Sequence, residues 1–324
     1  MANIVLIPIK NVLLQEHYKT NRSMVRYKIS AFIVIILWSF FLFMACDPSQ
    51  REKTSKENNM AFDTIEVKKQ YFLDDNPQNP SCNISLFFVF PSDSDKASQK
   101  EIQRIFVKGV FGMTYDSLSP SMSASEYVRN YMDNYKLDAK IYREHTSHVG
   151  KTNDGVIHHE NEHDEEEVLP KIFYSYYETL SDSIIYNRDN ILSFQVKQSN
   201  NKGGAMSYNS YRNYVINLKT ATLITENDIF NPGYDMALRN IFINSLLNQN
   251  DVKTVAELED LGYFGIEEII PNKNFFVDDK GITYTFNKGE YSAYQLSAPV
   301  VFIPYSDIRS LLRTNTLVSK IAGL

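Results

Sequence analysis

Between Ile29 and Ala45 the chain carries seventeen residues without a charge, interrupted only by the hydroxyls of Ser30 and Ser39, and the run ends at Cys46. It is short for a helix that spans a membrane, which needs about 20 apolar residues, and long for a helix of a protein core. Arg22, Arg26 and Lys28 lie just before it, so a basic segment leads into an apolar one in the order a secretory signal requires. Whatever folds as a globular domain must therefore come after Cys46.

The end of the run, Leu42-Phe43-Met44-Ala45-Cys46, resembles the lipobox of bacterial lipoproteins. The resemblance implies that residues 1–45 are a signal peptide, that the bond after the small residue Ala45 is cut, and that the Cys46 thiol carries diacylglycerol. It places the mature protein in the bacterial cell envelope, extracytoplasmic and held to the membrane through lipid. A span left uncleaved gives the same orientation, because the basic flank stays in the cytoplasm. Met24 offers a second start, since Met24 to Ala45 contains a complete signal by itself.

Removing residues 1–45 takes away five basic residues and one acid, a net of +4, so a chain at −6 becomes a mature protein at −10. Nucleic-acid phosphates need a basic face, and this balance argues against such a partner. It suits a basic protein ligand or plain solubility. With one of only two cysteines expected to carry lipid, Cys82 has no disulfide partner within the chain, and the fold must rest on its core. Forty-one Tyr and Phe residues supply apolar area for it.

Residues 46–60 are almost wholly polar after the cysteine and read as a flexible tether. Ile84 to Phe90 is an apolar run, broken only by Ser85 and bounded by Asn83 and Pro91, the pattern of a buried strand. Ser98 to Glu101 makes a capping-box pattern, followed by Ile102, Ile105 and Phe106 on one helical face and Gly109 as a stop. Ser123 to Glu126 repeats that start, with Val128, Tyr131, Met132 and Tyr135 at helical spacing. Strand-like runs return at Ile172 to Tyr177, Ile184 to Tyr186, Ile191 to Val196 and Tyr211 to Leu218. In the last of these Tyr214, Ile216 and Leu218 alternate with Asn213, Val215 and Asn217, mostly polar, which predicts one wet face. A helix carries Leu238, Ile241, Phe242 and Ser245, and Asp279-Lys280-Gly281 reads as the turn between Phe275 to Val277 and Ile282 to Phe286. Val300 to Ile303 predicts a last strand before a short helix at Asp307 to Leu312. Strands and helices come in groups, which predicts an α+β fold of antiparallel or mixed sheets with a few packed helices. Two small subdomains are expected, at 61–200 and 201–324.

From Asn200 to Leu312 the chain resembles a bacterial extracytoplasmic domain of unknown function, the outer portion of the lysozyme-binding anti-sigma factor (RsiV-like) family, also found beside some polysaccharide deacetylases. The match rests on Gly203-Gly204-Ala205, on YVINLKTATLITENDI from Tyr214 to Ile229, and on YSAYQLSAPVVFIPYSDI from Tyr291 to Ile308. It implies a non-enzymatic domain that binds a protein or a cell-wall-derived ligand. The paired glycines suit a tight turn with close backbone approach. Met206 stands where relatives often carry histidine, so the turn holds no imidazole here. An anti-sigma factor needs a cytoplasmic segment, and cleavage before Cys46 would sever the few residues that precede the apolar run; the protein is therefore not expected to be one itself. No stretch is long enough for a deacetylase barrel.

Five of six histidines, His145, His148, His158, His159 and His163, fall in or beside a charged stretch at 145–167. His159-Glu160-Asn161-Glu162-His163 matches H-E-x-x-H, which on a helix sets two imidazoles one turn apart for Zn²⁺ with the glutamate as general base. The alternative function is therefore a zinc-dependent hydrolase or a metal-binding protein using His158, His159, His163 and Glu160. Against it, six acids from Glu160 to Glu167 repel one another along a helix and favour a solvated loop, so no cofactor and no catalytic residue is expected. Tyr174, Tyr176 and Tyr177 offer a possible sugar platform, against ordinary packing of strand tyrosines. Asp63-Thr64-Ile65, Asp116-Ser117-Leu118 and Asp182-Ser183-Ile184 resemble a short O-glycosylation sequon.

Overall fold

The computed structural model describes residues 55–92, 97–149, 173–203 and 207–324, with side chains as far as residue 145 in the helix that closes the second of these. Residues 55–324 form one compact unit. The signal peptide, Cys46 and most of the tether lie outside the described residues.

Six strands make the larger sheet, and their spatial order follows the sequence: β1 (Phe62–Phe72), β2 (Ser81–Pro91), β3 (Tyr176–Arg188), β4 (Ile191–Lys202), β5 (Tyr208–Asn217) and β6 (Thr222–Leu223). Every neighbouring pair is antiparallel except β2 with β3. A parallel pair needs a long crossover, and this one contains α1 (Ala97–Phe111) and α2 (Pro120–Val149). Both helices lay apolar stripes on one face of the sheet. Ile102, Phe106 and Val110 from α1, and Val128, Tyr131 and Tyr135 from α2, join Leu86, Phe88, Leu180, Phe194 and Ile216 in one buried cluster. Phe106 stacks on Phe194 with ring centroids 4.0 Å apart, and Phe194 stacks on Tyr214 at 4.8 Å.

Among the described residues the other face of the sheet is covered at its β4–β5 end. There a three-stranded antiparallel sheet, β7 (Phe275–Val277), β8 (Gly281–Thr285) and β9 (Val300–Pro304), packs with the helices α3 (Glu226–Ile229), α4 (Tyr234–Gln249), α5 (Val255–Asp260), α6 (Tyr305–Ile308) and α7 (Leu317–Ile321) around a second cluster. That cluster draws Tyr186, Ile191 and Val215 from the large sheet. Side-chain amides join the two sheets. Asn274 accepts from the Asn213 amide at 2.8 Å and donates to the carbonyls of Tyr211 and Thr285. Asn287 accepts from the Tyr211 amide and donates back to its carbonyl. These amides satisfy a stretch of β5 that β6, pairing only Ile216 and Asn217, does not reach.

The α+β expectation holds: the sheets are one mixed and one antiparallel, with seven α-helices among the described residues. The large sheet runs straight across residues 200 and 201, where the sequence reading expects a boundary, because β4 and β5 pair from Ile191↔Asn217 to Asn200↔Tyr208. Several local expectations are corrected by packing. Ile84 to Phe90 is buried on alternate residues, with Phe87 44% exposed, because among the described residues nothing covers the far face at β2. Of the strand expected at Ile172 to Tyr177, only Tyr176 and Tyr177 are in a strand among the described residues, and they open one long strand, β3, that also holds Ile184 to Tyr186 and carries an irregularity at Ile184/Tyr186. The face of β5 expected to be wet is dry, since Asn213 and Val215 lie beneath the small sheet. Helix α2 begins at Pro120, three residues before the expected start. Proline suits the first helical turn, and the Ser119 hydroxyl accepts the Met122 amide.

Gly109 does not stop α1; the helix continues to Phe111, and Gly112, at φ +98°, follows it. Gly109 instead lets the helix lie close on the sheet, since a Cβ there would sit 3.1 Å from Phe194 and Tyr214. Gly281 likewise belongs to a strand rather than the turn. A Cβ at Gly281 would meet the Ile303 carbonyl oxygen at 2.1 Å.

Candidate functional site

Where α1 ends over the sheet, a groove of about 580 Å³ opens between that helix and strands β4, β5 and β6. Its construction begins with the helix terminus. The last carbonyls of a helix have no partners within it. Here the Gly112 amide reaches the Lys108 carbonyl at 3.0 Å, the Tyr214 hydroxyl donates to the Gly109 carbonyl at 3.2 Å, and the Arg212 guanidinium donates to the Val110 carbonyl at 3.2 Å. A cation at the negative end of the helix is also favoured by the helix dipole.

Arg212 is held from its other side as well. It donates to Gln198 at 3.2 Å, Gln198 donates to the Tyr127 hydroxyl at 3.3 Å, and Tyr127 donates in turn to Glu178 through a short hydrogen bond. Glu178 is 6% exposed. Burial raises its carboxyl pKa, and its hydrogen bonds with Tyr127 and Gln198 and the nearby Lys202 and Arg212 oppose that rise. Burial and the same carboxylate push the Tyr127 phenol well above its ordinary value, so Tyr127 stays protonated and serves as a hydrogen-bonding group. Arg104, on the rim, is paired with Glu101 and Asp116. Lys108 is exposed, and among the described residues no carboxylate pairs with it or with Arg212. Phe111, Met113, Tyr214 and Leu223 add apolar walls. The lining therefore suits a ligand with an anionic group and a part that packs against rings.

A second cavity, of about 740 Å³, lies beyond β6 and is lined by Lys219, Thr220, Thr222, Leu223, Asp228, Arg313, Asn315 and Lys320 among others. Leu223 borders both cavities and is 42% exposed.

Of the residues singled out in the sequence, His145 is exposed at the end of α2. The side chain of His148, and the whole of His158, His159, Glu160 and His163, lie outside the described residues, as does Cys46. Among the described residues no three His, Cys, Asp or Glu side chains are grouped as a metal would need, and no helix is long and apolar enough to cross a membrane. Tyr174, Tyr176 and Tyr177 do not share a platform: Tyr176 is buried beside Tyr135, ring centroids 5.0 Å apart, while Tyr174 and Tyr177 are exposed. The Tyr174 ring instead covers Gly203, where a Cβ would come within 2.4 Å of it. That is the close approach expected of this glycine, and its φ is +90°. Cys82 is fully buried and free. Thr64, Ser117 and Ser183 are exposed, but Asp116 is engaged by Arg104 and Asp182 is 4% exposed, so only Asp63-Thr64-Ile65 presents both polar residues openly. Arg212, Gln198, Tyr127 and Glu178 belong to none of the sequence motifs.

Residues 227–306 match the family described as protein of unknown function DUF3298. No curated protein matches the chain. Among solved structures, a DUF3298 family member from Bacteroides fragilis NCTC 9343 shares the fold with a TM-score of 0.70 at 23% identity, over 83% of this chain and all of that one. A DUF3298 family protein from Pseudomonas aeruginosa PAO1 does so with a TM-score of 0.53 at 12% identity, over 79% of this chain and 96% of that one. The matched residues 227–306 lie inside the C-terminal stretch, Asn200 to Leu312, that resembles a domain of unknown function, and the fold shared with these two proteins extends well beyond them.

Proposed function

We propose that the protein is a non-enzymatic, extracytoplasmic binding protein, anchored by lipid at Cys46, whose groove between α1 and strands β4–β6 takes an anionic, wall-derived sugar ligand. The observation that carries this reading is the Arg212 guanidinium, held by Val110 and Gln198 at the groove and left without a carboxylate partner among the described residues. With Lys108 beside it, a carboxylate on the ligand supplies the missing charge and gains charge-assisted hydrogen bonds. The ring and aliphatic walls suit a sugar face. A basic, lysozyme-like ligand does not suit this groove, whose lining carries Arg104, Lys108 and Arg212 against Glu101 alone.

Thermal unfolding of the Cys46→Ala chain with N-acetylmuramic acid, set against N-acetylglucosamine, tests the groove, because only the first sugar carries a carboxylate. The expected result is a rise in Tm with the acid alone that Lys108→Glu removes; no rise at millimolar sugar would reject the reading. Incorporation of labelled palmitate tests the anchor, and a Cys46→Ala chain that still takes up label would reject it.

A further inference from the structure

The two cavities meet across Leu223, and each is lined by three cations and one acid: Arg104, Lys108, Arg212 and Glu101 on one side, Lys219, Arg313, Lys320 and Asp228 on the other. Arg104 is offset by its pairs with Glu101 and Asp116, and in a chain whose overall charge is −6 the other five cations against Asp228 around one edge strand still make a local field of opposite sign. Acid side chains there are also committed: Glu101 pairs with Arg104, and Asp228 closes the capping box of α3 by accepting from the Thr225 amide and hydroxyl. From this juxtaposition we infer that the two cavities form one extended track over β6 for a carboxylated glycan chain, the longer form of the ligand whose end occupies the groove. This inference rests on the reading of the groove given above.

The spacing of chemistry along the track decides between polyanions. Duplex DNA carries one charge per about 1.7 Å of axis, and proteins that hold nucleic acid answer with dense Lys and Arg and with stacking platforms for bases. Here the cations are separated by neutral hydrogen-bonding groups, Thr220, Thr222 and Asn315 in one cavity and Gln198 and Tyr127 in the other. Alternating hydroxyls and sparse carboxylates are the pattern of an acidic polysaccharide. Leu223, 42% exposed at the saddle between the cavities, gives the apolar face of one sugar ring a surface to cross. Pairing of β6 with β5 is limited to Ile216↔Leu223 and Asn217↔Thr222, so β6 is the outermost strand of the sheet and a ligand laid along it meets no further strand.

Hyaluronan oligosaccharides, which carry one carboxylate per disaccharide, are the probe. Binding of fluorescent tetrasaccharide and dodecasaccharide to the full Cys46→Ala chain is measured by anisotropy. The dodecasaccharide is expected to bind at least tenfold more tightly, and Lys219→Glu, an exposed change outside the groove, is expected to remove that advantage while leaving the tetrasaccharide unaffected. Equal affinity for both lengths, or a length advantage that survives Lys219→Glu, overturns the track but leaves the groove reading in place. No binding of either length, together with no effect of N-acetylmuramic acid, removes the groove reading and the track with it. Oligo-dT bound as tightly as the dodecasaccharide overturns the assignment to a glycan.

Discussion

Replacing Asp182 with Asn should stabilise the protein at pH 8 and flatten its response to pH. Asp182 is 4% exposed and stands on β3 one residue beyond the last β2–β3 pair, Phe87↔Ser181. One carboxylate oxygen accepts from the Val89 amide at 2.7 Å, taking the place of strand pairing where the strands part, and the other has no hydrogen-bond partner among the described residues. Burial pushes the carboxyl pKa up to about 7, against the weaker pull of backbone amides. An unfolded Asp titrates near 3.9. Between those pH values the folded chain holds a proton that the unfolded chain has released, so this group's contribution declines as pH rises from about 4 to about 7 and is level above. About three pH units at ~1.36 kcal/mol each put the cost of the ionised carboxylate near ~4 kcal/mol at pH 8. Asn keeps the acceptor for Val89 and cannot ionise, but its amide brings a buried donor to the unpartnered position at a cost of about 1–3 kcal/mol. The net gain at pH 8 is then about 1–3 kcal/mol, and at pH 4.5, where Asp182 is protonated, Asp182→Asn is neutral or destabilising. Urea unfolding of both proteins at pH 4.5, 6 and 8 measures this. Glu178 titrates in the same sense, so the difference between the two proteins isolates Asp182. Parallel pH profiles, or a variant less stable than wild type at pH 8, would refute the reasoning.

Three further outcomes follow from the packing. Asn274→Asp loses both donors to the Tyr211 and Thr285 carbonyls and sets a carboxylate against them, a cost of about 2–4 kcal/mol; a drop in Tm of less than about 4 °C would contradict it. Gly281→Ala drives a methyl into the Ile303 carbonyl and should destabilise by about 2–4 kcal/mol, seen as a lower urea midpoint, whereas an unchanged midpoint would mean that β9 can move away. Cys82 is fully buried with its thiol pushed up to about 12, chiefly by burial, so in the Cys46→Ala chain it should ignore Ellman's reagent at pH 8 until urea unfolds the protein; rapid reaction in the folded state would count against a closed core.

Local periodicity made much of this fold legible. The spacing of Val128, Tyr131 and Tyr135 placed α2 against the sheet, and Phe275 to Val277 with Ile282 to Phe286 gave the β7–β8 pair. What stayed hidden depends on which face of a strand is covered. Asn213 and Val215 alternate with Tyr214 and Ile216 in the way a half-exposed strand does, and only the small sheet, placed over β5 by Asn274 and Asn287, turns their face into core. Conversely, the apolar run in β2, broken only by Ser85, looks buried on both faces, yet among the described residues Phe87 meets no second layer. Helix ends misled for a related reason: Ser123 and Glu126 imitate a cap, while Ser119 and Pro120, a serine before a proline at the first turn, hold the real one.

The site had a signal in the sequence that the same periodicity carries. Tyr176, Glu178, Leu180 and Asp182 fall on one face of β3, so two carboxylates lie in the inward stripe of a strand. Arg212 in the same way extends the stripe of Tyr214 and Ile216. A charge carried inward by alternation needs a partner or shifts its protonation, and the structure uses both solutions. Glu178 is reached through Tyr127 and Gln198 from Arg212, which ties the buried acid to the groove. Asp182 has only the Val89 amide and takes up a proton near neutral pH. The two acids stand four residues apart on one strand, and their different fates follow from where the guanidinium is held: the register sets Arg212 opposite Val196 and Val196 opposite Asp182, yet the guanidinium bonds Gln198, which reaches Glu178 through Tyr127, while Asp182 takes the Val89 amide instead. The acid connected to the groove therefore stays tied to a positive charge that a ligand can compete for, and charge-removing changes at Glu178 should alter ligand affinity where changes at Asp182 alter stability alone.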